Sequence, residues 1–352
     1  MDSEILIETT ELSRHFYGEQ EHVKSRTSHH GQTIAVDNIS FSLKRGEVLG
    51  FLGPNGAGKS TTMQMLTGNL APTHGTIKIA GIDLMDNPIE AKALIGYLPD
   101  TPPLYKELTV DEYLAYCARL NRIAKHKVKQ AVATSKERCG LTDHGRRVIS
   151  NLSKGYQQRV GIAQAIIHSP DIVILDEPTV GLDPIQMIEI RKLIKELGET
   201  HSVMLSSHIL PEVQSICDNV QIINQGKLVF NSSITELTQH MQTHTLHMSC
   251  ANPVEIEKIE ALESISQVHQ KGDALTLHCS NKNSLSNNHS DDPSQSSITA
   301  QKVSQQLIAL AIENSWGLYE IYPERRTLED IFMSLTCIDP TESTIQEGEA
   351  DD

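Results

Sequence analysis

A glycine-rich segment that ends in a lysine and two hydroxyl residues is the strongest chemical signal in the sequence. It reads Gly53-Pro54-Asn55-Gly56-Ala57-Gly58-Lys59-Ser60 and is followed by Thr61. This segment matches the pattern GxxxxGK[ST], in which glycines let consecutive backbone N–H groups turn toward phosphate oxygens. Lys59 supplies a cation for the outer phosphates, the Ser60 hydroxyl is a candidate ligand for Mg²⁺, and Thr61 adds a further donor. The segment therefore predicts a phosphate-binding loop.

A pair of adjacent carboxylates, Asp176 and Glu177, is the second candidate site. The pair follows the apolar run Ile172 to Leu175. We expect Asp176 to hold Mg²⁺, directly or through water, and Glu177 to polarise the water that attacks the terminal phosphate. Two acids at the end of a strand are common by chance. The phosphate-binding loop upstream favours the functional interpretation.

Short continuous apolar runs predict the strands that position these motifs. Such runs are typical of strands that are covered on both faces. Up to residue 240 they alternate with helical patterns, which predicts a parallel α/β sheet. One helix is expected to start at Pro184, with Asp183 as its N-cap, and Gly198 can end it. The apolar runs are Val48 to Leu52, Ile172 to Leu175 and Val203 to Leu205.

The pattern changes beyond residue 240, which predicts a first domain at 1–240 and a small α+β domain at 241–336. In the second domain the order strand, helix, strand, strand, helix, strand fits a ferredoxin-like module. The segment 280–300 is rich in serine and asparagine, and we predict a disordered insert there. Residues 337–352 form a predicted acidic tail.

Composition restricts the classes of function. Lys and Arg total 30 against 45 Asp and Glu, which gives a formal charge of -15, and aromatic residues make up 4%. A chain this acidic lacks the electrostatic footprint of a nucleic-acid binder. The six cysteines contain no CxxC pair, which predicts reduced thiols in the cytosol. No stretch approaches the roughly 18 apolar residues of a membrane span, so a membrane role is expected to need a partner.

Three further motifs resemble those of the ABC-type ATPases. The run Leu152-Ser153-Lys154-Gly155-Tyr156-Gln157-Gln158-Arg159 resembles their LSGGQ signature, Val180-Gly181-Leu182-Asp183-Pro184 resembles their D-loop, and His208 after two serines resembles their switch histidine. With the phosphate-binding loop and the acid pair, five motifs lie in the family's order. On these motifs the chain is identified as a member of that family from about residue 5 to 240.

The resemblance implies a P-loop NTPase of the ABC type with a helical subdomain at about 100–170. It also implies an ATP-binding and ATP-hydrolysing subunit that homodimerises and drives a separate multi-span membrane permease from the cytoplasmic side of the membrane. The net charge, by contrast, is what argues against a nucleic-acid partner. The segment Thr327 to Phe332 resembles one that closes many exporter ATPases of the drug-, sodium- and gliding-related type. Export is therefore the expected direction.

The resemblance further implies a head-to-tail dimer in which the phosphate-binding loop of one copy faces the signature of the other. Ser153 and Gly155 would then contact the γ-phosphate across the interface, and Asp183 of the D-loop would lie beside it. His208 would hydrogen-bond to the γ-phosphate, and Tyr17 would stack on adenine. From its local context alone, Ser153 is equally well explained as a helix N-cap.

The sequence departs from the family at two places. Where many relatives carry a glutamine that touches Mg²⁺, this chain has Asp100. Asp100 either reaches the metal through water or caps the loop that follows, and the sequence leaves both alternatives open. Between Tyr17 and Ala35 the polar stretch 19–32 is longer than usual in the family. Its histidines are expected to be surface residues.

An alternative function is a soluble ABC-type ATPase that acts in translation or DNA maintenance. Relatives of that kind carry two ATPase domains in tandem or long coiled-coil insertions, and this chain shows neither pattern. Co-purification with a multi-span membrane protein would favour the transporter, whereas co-sedimentation with ribosomes would favour the alternative.

Overall fold

The computed structural model describes residues 4–17, 32–239, 242–262, 264–272, 274–279 and 294–325. The chain divides into two compact units, Met1–Ile234 and Thr235–Asp352. Three predicted features lie outside the described residues: positions 19–31 of the longer polar stretch, the segment Thr327 to Phe332 and the acidic tail. Residues 280–293 of the predicted insert also lie outside them.

In the part of the first unit that the structure describes, ten strands form two sheets. In chain order they are β1 (Ile5–Tyr17), β2 (Gln32–Lys44), β3 (Val48–Leu52), β4 (His74–Ile79), β5 (Ile82–Asp83), β6 (Ile95–Leu98), β7 (Ile172–Leu175), β8 (Ser202–Ser207), β9 (Asn219–Asn224) and β10 (Lys227–Ser233). The helices are α1 (Lys59–Leu66), α2 (Pro88–Ala93), α3 (Val110–Leu120), α4 (Val128–Arg138), α5 (Lys154–Ala165), α6 (Pro184–Gly198) and α7 (Leu210–Ile216), with α8 (Ile234–Gln239) at the boundary between the units.

The larger sheet is mostly parallel and has the strand order β10-β9-β3-β8-β7-β6. Of the strand pairs described in this sheet, only the hairpin of β9 and β10 is antiparallel. Every residue of β3, β7 and β8 is buried, as expected for strands covered on both faces. The three predicted strands are confirmed, and the first two have the predicted bounds. The helix predicted from Pro184 is also confirmed, because Asp183 Oδ1 accepts a hydrogen bond from the backbone N–H of Gln186 at its first turn.

The smaller sheet is antiparallel, in the order β2-β1-β4-β5, and the apolar runs gave no indication of it. Its long strands β1 and β2 pair with several register shifts. Leu6 and Ile7 of β1 share one core with Phe51 of β3 and Met63 of α1. Helix α1, which follows the phosphate-binding loop, is therefore fixed in a core that both sheets contribute to.

Helices α3, α4 and α5 lie between β6 and β7 in the chain and form the helical part of this unit. Helix α3 begins with a capping box, in which the Thr109 hydroxyl accepts from the backbone N–H of Glu112 and the Glu112 carboxylate accepts from the backbone N–H of Thr109. The Thr109 backbone N–H and the Thr109 hydroxyl both donate to the Glu112 carboxylate, and these two hydrogen bonds hold the pKa of Glu112 below its usual value. The predicted fold class, a P-loop NTPase with a helical subdomain and a small α+β domain, is confirmed.

The second unit contains strands β11 (Gln242–Cys250), β12 (Ile265–Lys271), β13 (Ala274–Cys279) and β14 (Leu318–Arg325), with helices α9 (Ile256–Glu260) and α10 (Ser294–Glu313). Its sheet has the order β12-β13-β11-β14, and all its pairs are antiparallel. The element order is the one predicted. Residues 294–300, however, are helical rather than part of a disordered insert. Val303, Leu307 and Ala311 anchor α10 in the core, and each residue added to an anchored helix gains a backbone hydrogen bond.

Two histidines, the buried His201 and the half-buried His168, lie near the edge of the parallel sheet. Arg138 Nη1 is 3.0 Å from His201 Nε2, and because a guanidinium only donates, that nitrogen must accept. His201 Nδ1 then carries the proton and donates to the Pro170 carbonyl oxygen at 2.7 Å. His168 Nε2 lies 3.2 Å from the Ile95 carbonyl oxygen. Burial lowers the pKa of both imidazoles below their ordinary value of 6.5.

We expect the free energy of unfolding to decrease as the pH falls below about 6.5, the ordinary pKa of histidine. Between 6.5 and the lowered folded-state values, the unfolded chain binds more protons than the folded chain, so acid favours unfolding. Denaturant unfolding at pH 7.5 and pH 5.5 measures the difference. The double variant His168→Gln/His201→Gln should show a smaller pH dependence than the wild type, whereas exposed His126→Gln should not. An unchanged pH dependence in the double variant would contradict this assignment.

Candidate active site

The phosphate-binding loop connects β3 to α1 and needs glycine at specific positions. A Cβ atom at Gly53 would lie 2.4 Å from the Ile223 carbonyl oxygen, and one at Gly58 would lie 2.4 Å from the Ala35 carbonyl oxygen. Gly58 also has a φ of 109°, a conformation that side chains rarely adopt, and it caps the N-terminus of α1. These close approaches hold the loop against β2 and β9 and direct the start of α1 at the site.

The loop borders a cavity of about 340 Å³. The start of α1 contributes unpaired backbone N–H groups and partial positive charge there, which suits an anion. Nine of the predicted site residues border this cavity, together with Ala35 and Val180, which were not predicted. The nine are Asn55, Gly56, Gly58, Lys59, Ser60, Thr61, Asp100, Glu177 and His208.

Lys59 is the cation of the cavity, and only 5% of its surface is exposed. Its Nζ donates to the carbonyl oxygens of Gly53 at 2.9 Å and Pro54 at 3.3 Å. It also lies 3.1 Å from Oε1 of Glu177. The ammonium group is therefore held between the phosphate-binding loop and the acid pair, although these segments are more than 100 residues apart in the chain.

Asp176 lies at the end of β7 and joins the site through hydroxyl groups. Its Oδ1 accepts from Ser60 Oγ at 3.2 Å and from Ser206 Oγ at 2.5 Å. Burial raises the pKa of Asp176, and the two hydroxyl donors oppose this shift. The donor set at this point, a carboxylate and a hydroxyl, consists of the hard oxygen ligands that Mg²⁺ prefers. Among the described residues, no group of three or more His, Cys, Asp or Glu side chains could hold a metal ion.

Ser206 contributes to the site and was missed by the sequence analysis. Besides donating to Asp176, its Oγ accepts from the backbone N–H of Glu177 at 2.9 Å. It thereby fixes both acids of the pair relative to β8. The only available signal was its position two residues before His208, which does not distinguish it from Ser207.

Glu177 and His208 face each other across the site. His208 Nδ1 lies 2.9 Å from Glu177 Oε2, and because a carboxylate only accepts, Nδ1 carries the proton. Glu177 has a φ of 48°, which is uncommon for a residue with a side chain. Such backbone strain is concentrated at functional sites, where the surrounding structure enforces it. In this conformation the carboxylate of Glu177 contacts Lys59 and His208.

Three predicted residues of the signature and the D-loop, Ser153, Gly155 and Asp183, do not border the cavity of their own chain. Ser153 is exposed and caps α5, with its Oγ accepting from the backbone N–H of Tyr156. Asp183 is exposed and caps α6. Gly155 is buried, and a Cβ atom there would lie 2.7 Å from the Gln186 side chain in α6. Ser153 and Asp183 are therefore helix N-caps, as the sequence suggested, and both side chains are still exposed.

Of two other predicted residues, Asp100 borders the cavity and Tyr17 does not. Asp100 is exposed and borders the cavity, and its charge contributes to the raised pKa of Asp176. Tyr17 ends β1 with 76% of its surface exposed and does not border the cavity. Stacking of Tyr17 on adenine therefore remains a prediction.

A glycine-rich loop between a buried parallel strand and a helix, next to a strand that ends in two acids, defines a P-loop NTPase. Residues 36–180 match the family model described as ABC transporter. The chain is 36% identical over 244 residues to the ABC transporter ATP-binding protein NatA of Bacillus subtilis, covering 69% of this chain and 95% of NatA. It is 32% identical over 309 residues to the linearmycin resistance ATP-binding protein LnrL of the same organism, and the match covers 87% of this chain and 95% of LnrL.

Among solved structures, cbiO1 from Clostridium perfringens, part of the ABC transporter complex cbiONQ, superimposes with a TM-score of 0.58. The two chains are 27% identical, and the match covers 66% of this chain and 90% of cbiO1. The present chain belongs to the ABC transporter ATP-binding proteins and is an ATP-binding, ATP-hydrolysing transporter subunit. These relatives do not favour the alternative function in translation or DNA maintenance. Among the described residues, no helix is long and apolar enough to cross a membrane.

Proposed function

We propose that this chain powers an exporter by hydrolysing Mg²⁺-ATP in a head-to-tail homodimer bound to the cytoplasmic face of a multi-span permease. One observation supports the catalytic part. Beside the phosphate-binding loop, the Glu177 carboxylate contacts both Lys59 Nζ, at 3.1 Å, and His208 Nδ1, at 2.9 Å. The similarity to a linearmycin resistance protein over 87% of the chain supports export.

Each side chain in the cavity has a role that fits its chemistry. Lys59 and the backbone N–H groups of the loop bind the outer phosphates. Glu177 accepts a proton from water as the water oxygen bonds to the γ-phosphorus and the bond to the β-phosphate oxygen breaks. With ATP bound, His208 would donate its Nδ1 hydrogen to the γ-phosphate in place of the Glu177 carboxylate. Ser60 and Asp176 would hold Mg²⁺, with Asp100 reaching it through water, and the ion supplies charge neutralisation on the phosphates.

The dimer accounts for the exposed caps at the signature and the D-loop. Ser153 and Asp183 are exposed and do not border the cavity of their own chain, so a second copy turned head to tail could receive them at its γ-phosphate. The N-terminus of α5 would add its dipole to that contact. Closure of the dimer would then be required for hydrolysis.

The variant Ser153→Arg tests this arrangement in a background, Glu177→Gln, that is expected to trap the ATP-bound dimer. Light scattering after gel filtration with Mg²⁺-ATP should show a dimer for Glu177→Gln and a monomer after Ser153→Arg is added. The reason is that an arginine at this exposed cap would clash at the interface. Thr200→Arg, placed just beyond the other end of α6, should leave the dimer intact. A dimer that forms equally well with Ser153→Arg would contradict the head-to-tail arrangement.

A further inference from the structure

Glu212 is a carboxylate buried in the first turn of α7, with 1% of its surface exposed. Burying a carboxylate is costly unless hydrogen bonds and charges compensate it. Both oxygens of Glu212 are compensated. Oε2 accepts from Thr179 Oγ1 at 2.8 Å and from Ser207 Oγ at 2.9 Å, and Oε1 accepts from Arg191 Nη2 at 3.1 Å. The four side chains come from different parts of the chain, and none of them borders the cavity.

The two hydroxyl donors flank the Glu177–His208 pair. Thr179 lies two residues after Glu177, and Ser207 immediately precedes His208. Ser207 Oγ also accepts from the backbone N–H of Ile209 at 2.9 Å, so the backbone on both sides of His208 is fixed. Glu212 Oε2 thus connects the segment that carries Glu177 to the segment that carries His208, and these two side chains lie 2.9 Å apart.

The third donor connects this contact to the helix that follows the D-loop. Arg191 lies in α6, which begins directly after its N-cap, Asp183. A displacement of α6 would move the guanidinium of Arg191 and, through Glu212, both hydroxyl donors. Hydrogen bonds in such a buried network depend on one another, so loss of one partner affects the others.

We propose that Glu212 is a positioning residue that sets the geometry of Glu177 and His208 and links it to the position of α6. This inference rests on the proposed function, because it concerns the same hydrolysis site. Glu212 acts through its neighbours and does not touch the substrate. A misplacement of about 1 Å at a reacting group can cost 100-fold in rate, so loss of this network affects turnover more than nucleotide binding.

The variant Glu212→Gln keeps the shape of the side chain but removes its charge and one acceptor. We expect kcat for ATP hydrolysis to fall between about tenfold and 100-fold, while the Kd for a fluorescent ATP analogue stays within about twofold, because the phosphate-binding loop is unchanged. Exposed Glu199→Gln is the matched control and should retain wild-type kcat. Wild-type kcat in Glu212→Gln, or a Kd that rises as much as kcat falls, would overturn the proposal.

A double-mutant cycle separates positioning from general destabilisation. If Glu212 acts through His208, adding Glu212→Gln to His208→Ala should lower kcat by much less than it does in the wild type. An equal fall in both backgrounds would overturn the proposal.

Should Glu212→Gln not fold, Thr179→Val and Ser207→Ala remove the donors one at a time. Each variant should lower kcat while Kd stays unchanged. A normal kcat in both variants would also overturn the proposal. If the wild type does not hydrolyse ATP, the proposed function itself is wrong. If the wild type hydrolyses ATP and Glu212→Gln does so equally well, only this inference is wrong.

Discussion

Replacing Glu177 by glutamine is expected to abolish ATP hydrolysis and leave ATP binding intact. Glutamine has the same size and keeps one oxygen near Lys59 or His208, but it cannot take a proton from water. Loss of a general base lowers rates by about 100-fold to 10,000-fold. Binding should persist because Lys59 and the loop N–H groups, which contact phosphate in the proposed function, are unchanged. The ATP-bound dimer should therefore accumulate.

Steady-state phosphate release and nucleotide affinity, measured on the same preparation, check this expectation. Glu196→Gln is a suitable control because Glu196 is an exposed glutamate that pairs with Lys192 on α6, and neither residue borders the cavity. It should hydrolyse ATP at the wild-type rate. Normal turnover in Glu177→Gln would overturn the catalytic assignment, and another group would then have to accept the proton.

The sequence was sufficient to predict the features that rest on local pattern. Strands β3 and β7 are short apolar runs bounded by a glycine-rich turn and by two acids, so their ends are marked by residue type. Helix α6 carries its own signals, Asp183 as N-cap and Pro184 in the first turn. Most of the cavity was predicted for the same reason, because the phosphate-binding loop is contiguous and its chemistry follows from its residue types.

Features that depend on tertiary contacts were not predictable in this way. The antiparallel sheet of β1, β2, β4 and β5 contains register shifts that interrupt any simple alternation. Glu212 lies 33 residues from Thr179, and nothing in its local sequence distinguishes it from a surface glutamate. The positive φ of Glu177 could not be predicted either, because a strained backbone conformation leaves no signal in the residue types.

Replacing Lys59 by methionine is expected to weaken nucleotide binding more than any other single change at the site. Methionine is unbranched and roughly as long, so it fills the space but donates nothing. A hydrogen bond to a charged group contributes about 1.5–3 kcal/mol, and at 1.4 kcal/mol per factor of ten this corresponds to about a tenfold to 100-fold rise in Kd for one phosphate contact. Since one ammonium can donate to more than one phosphate oxygen, we expect the upper end of that range.

Calorimetric titration with ATP in the presence of Mg²⁺ measures this change directly. Lys92→Met is a matched control, because Lys92 Nζ also donates to a backbone carbonyl oxygen, that of Gly68 at 2.9 Å, but outside the cavity. It removes the same kind of hydrogen bond and should leave Kd unchanged. If Lys59→Met binds ATP as tightly as Lys92→Met, while both unfold at similar temperatures, then the ammonium of Lys59 does not hold the phosphates. The helix N-terminus and loop N–H groups would then carry the binding alone.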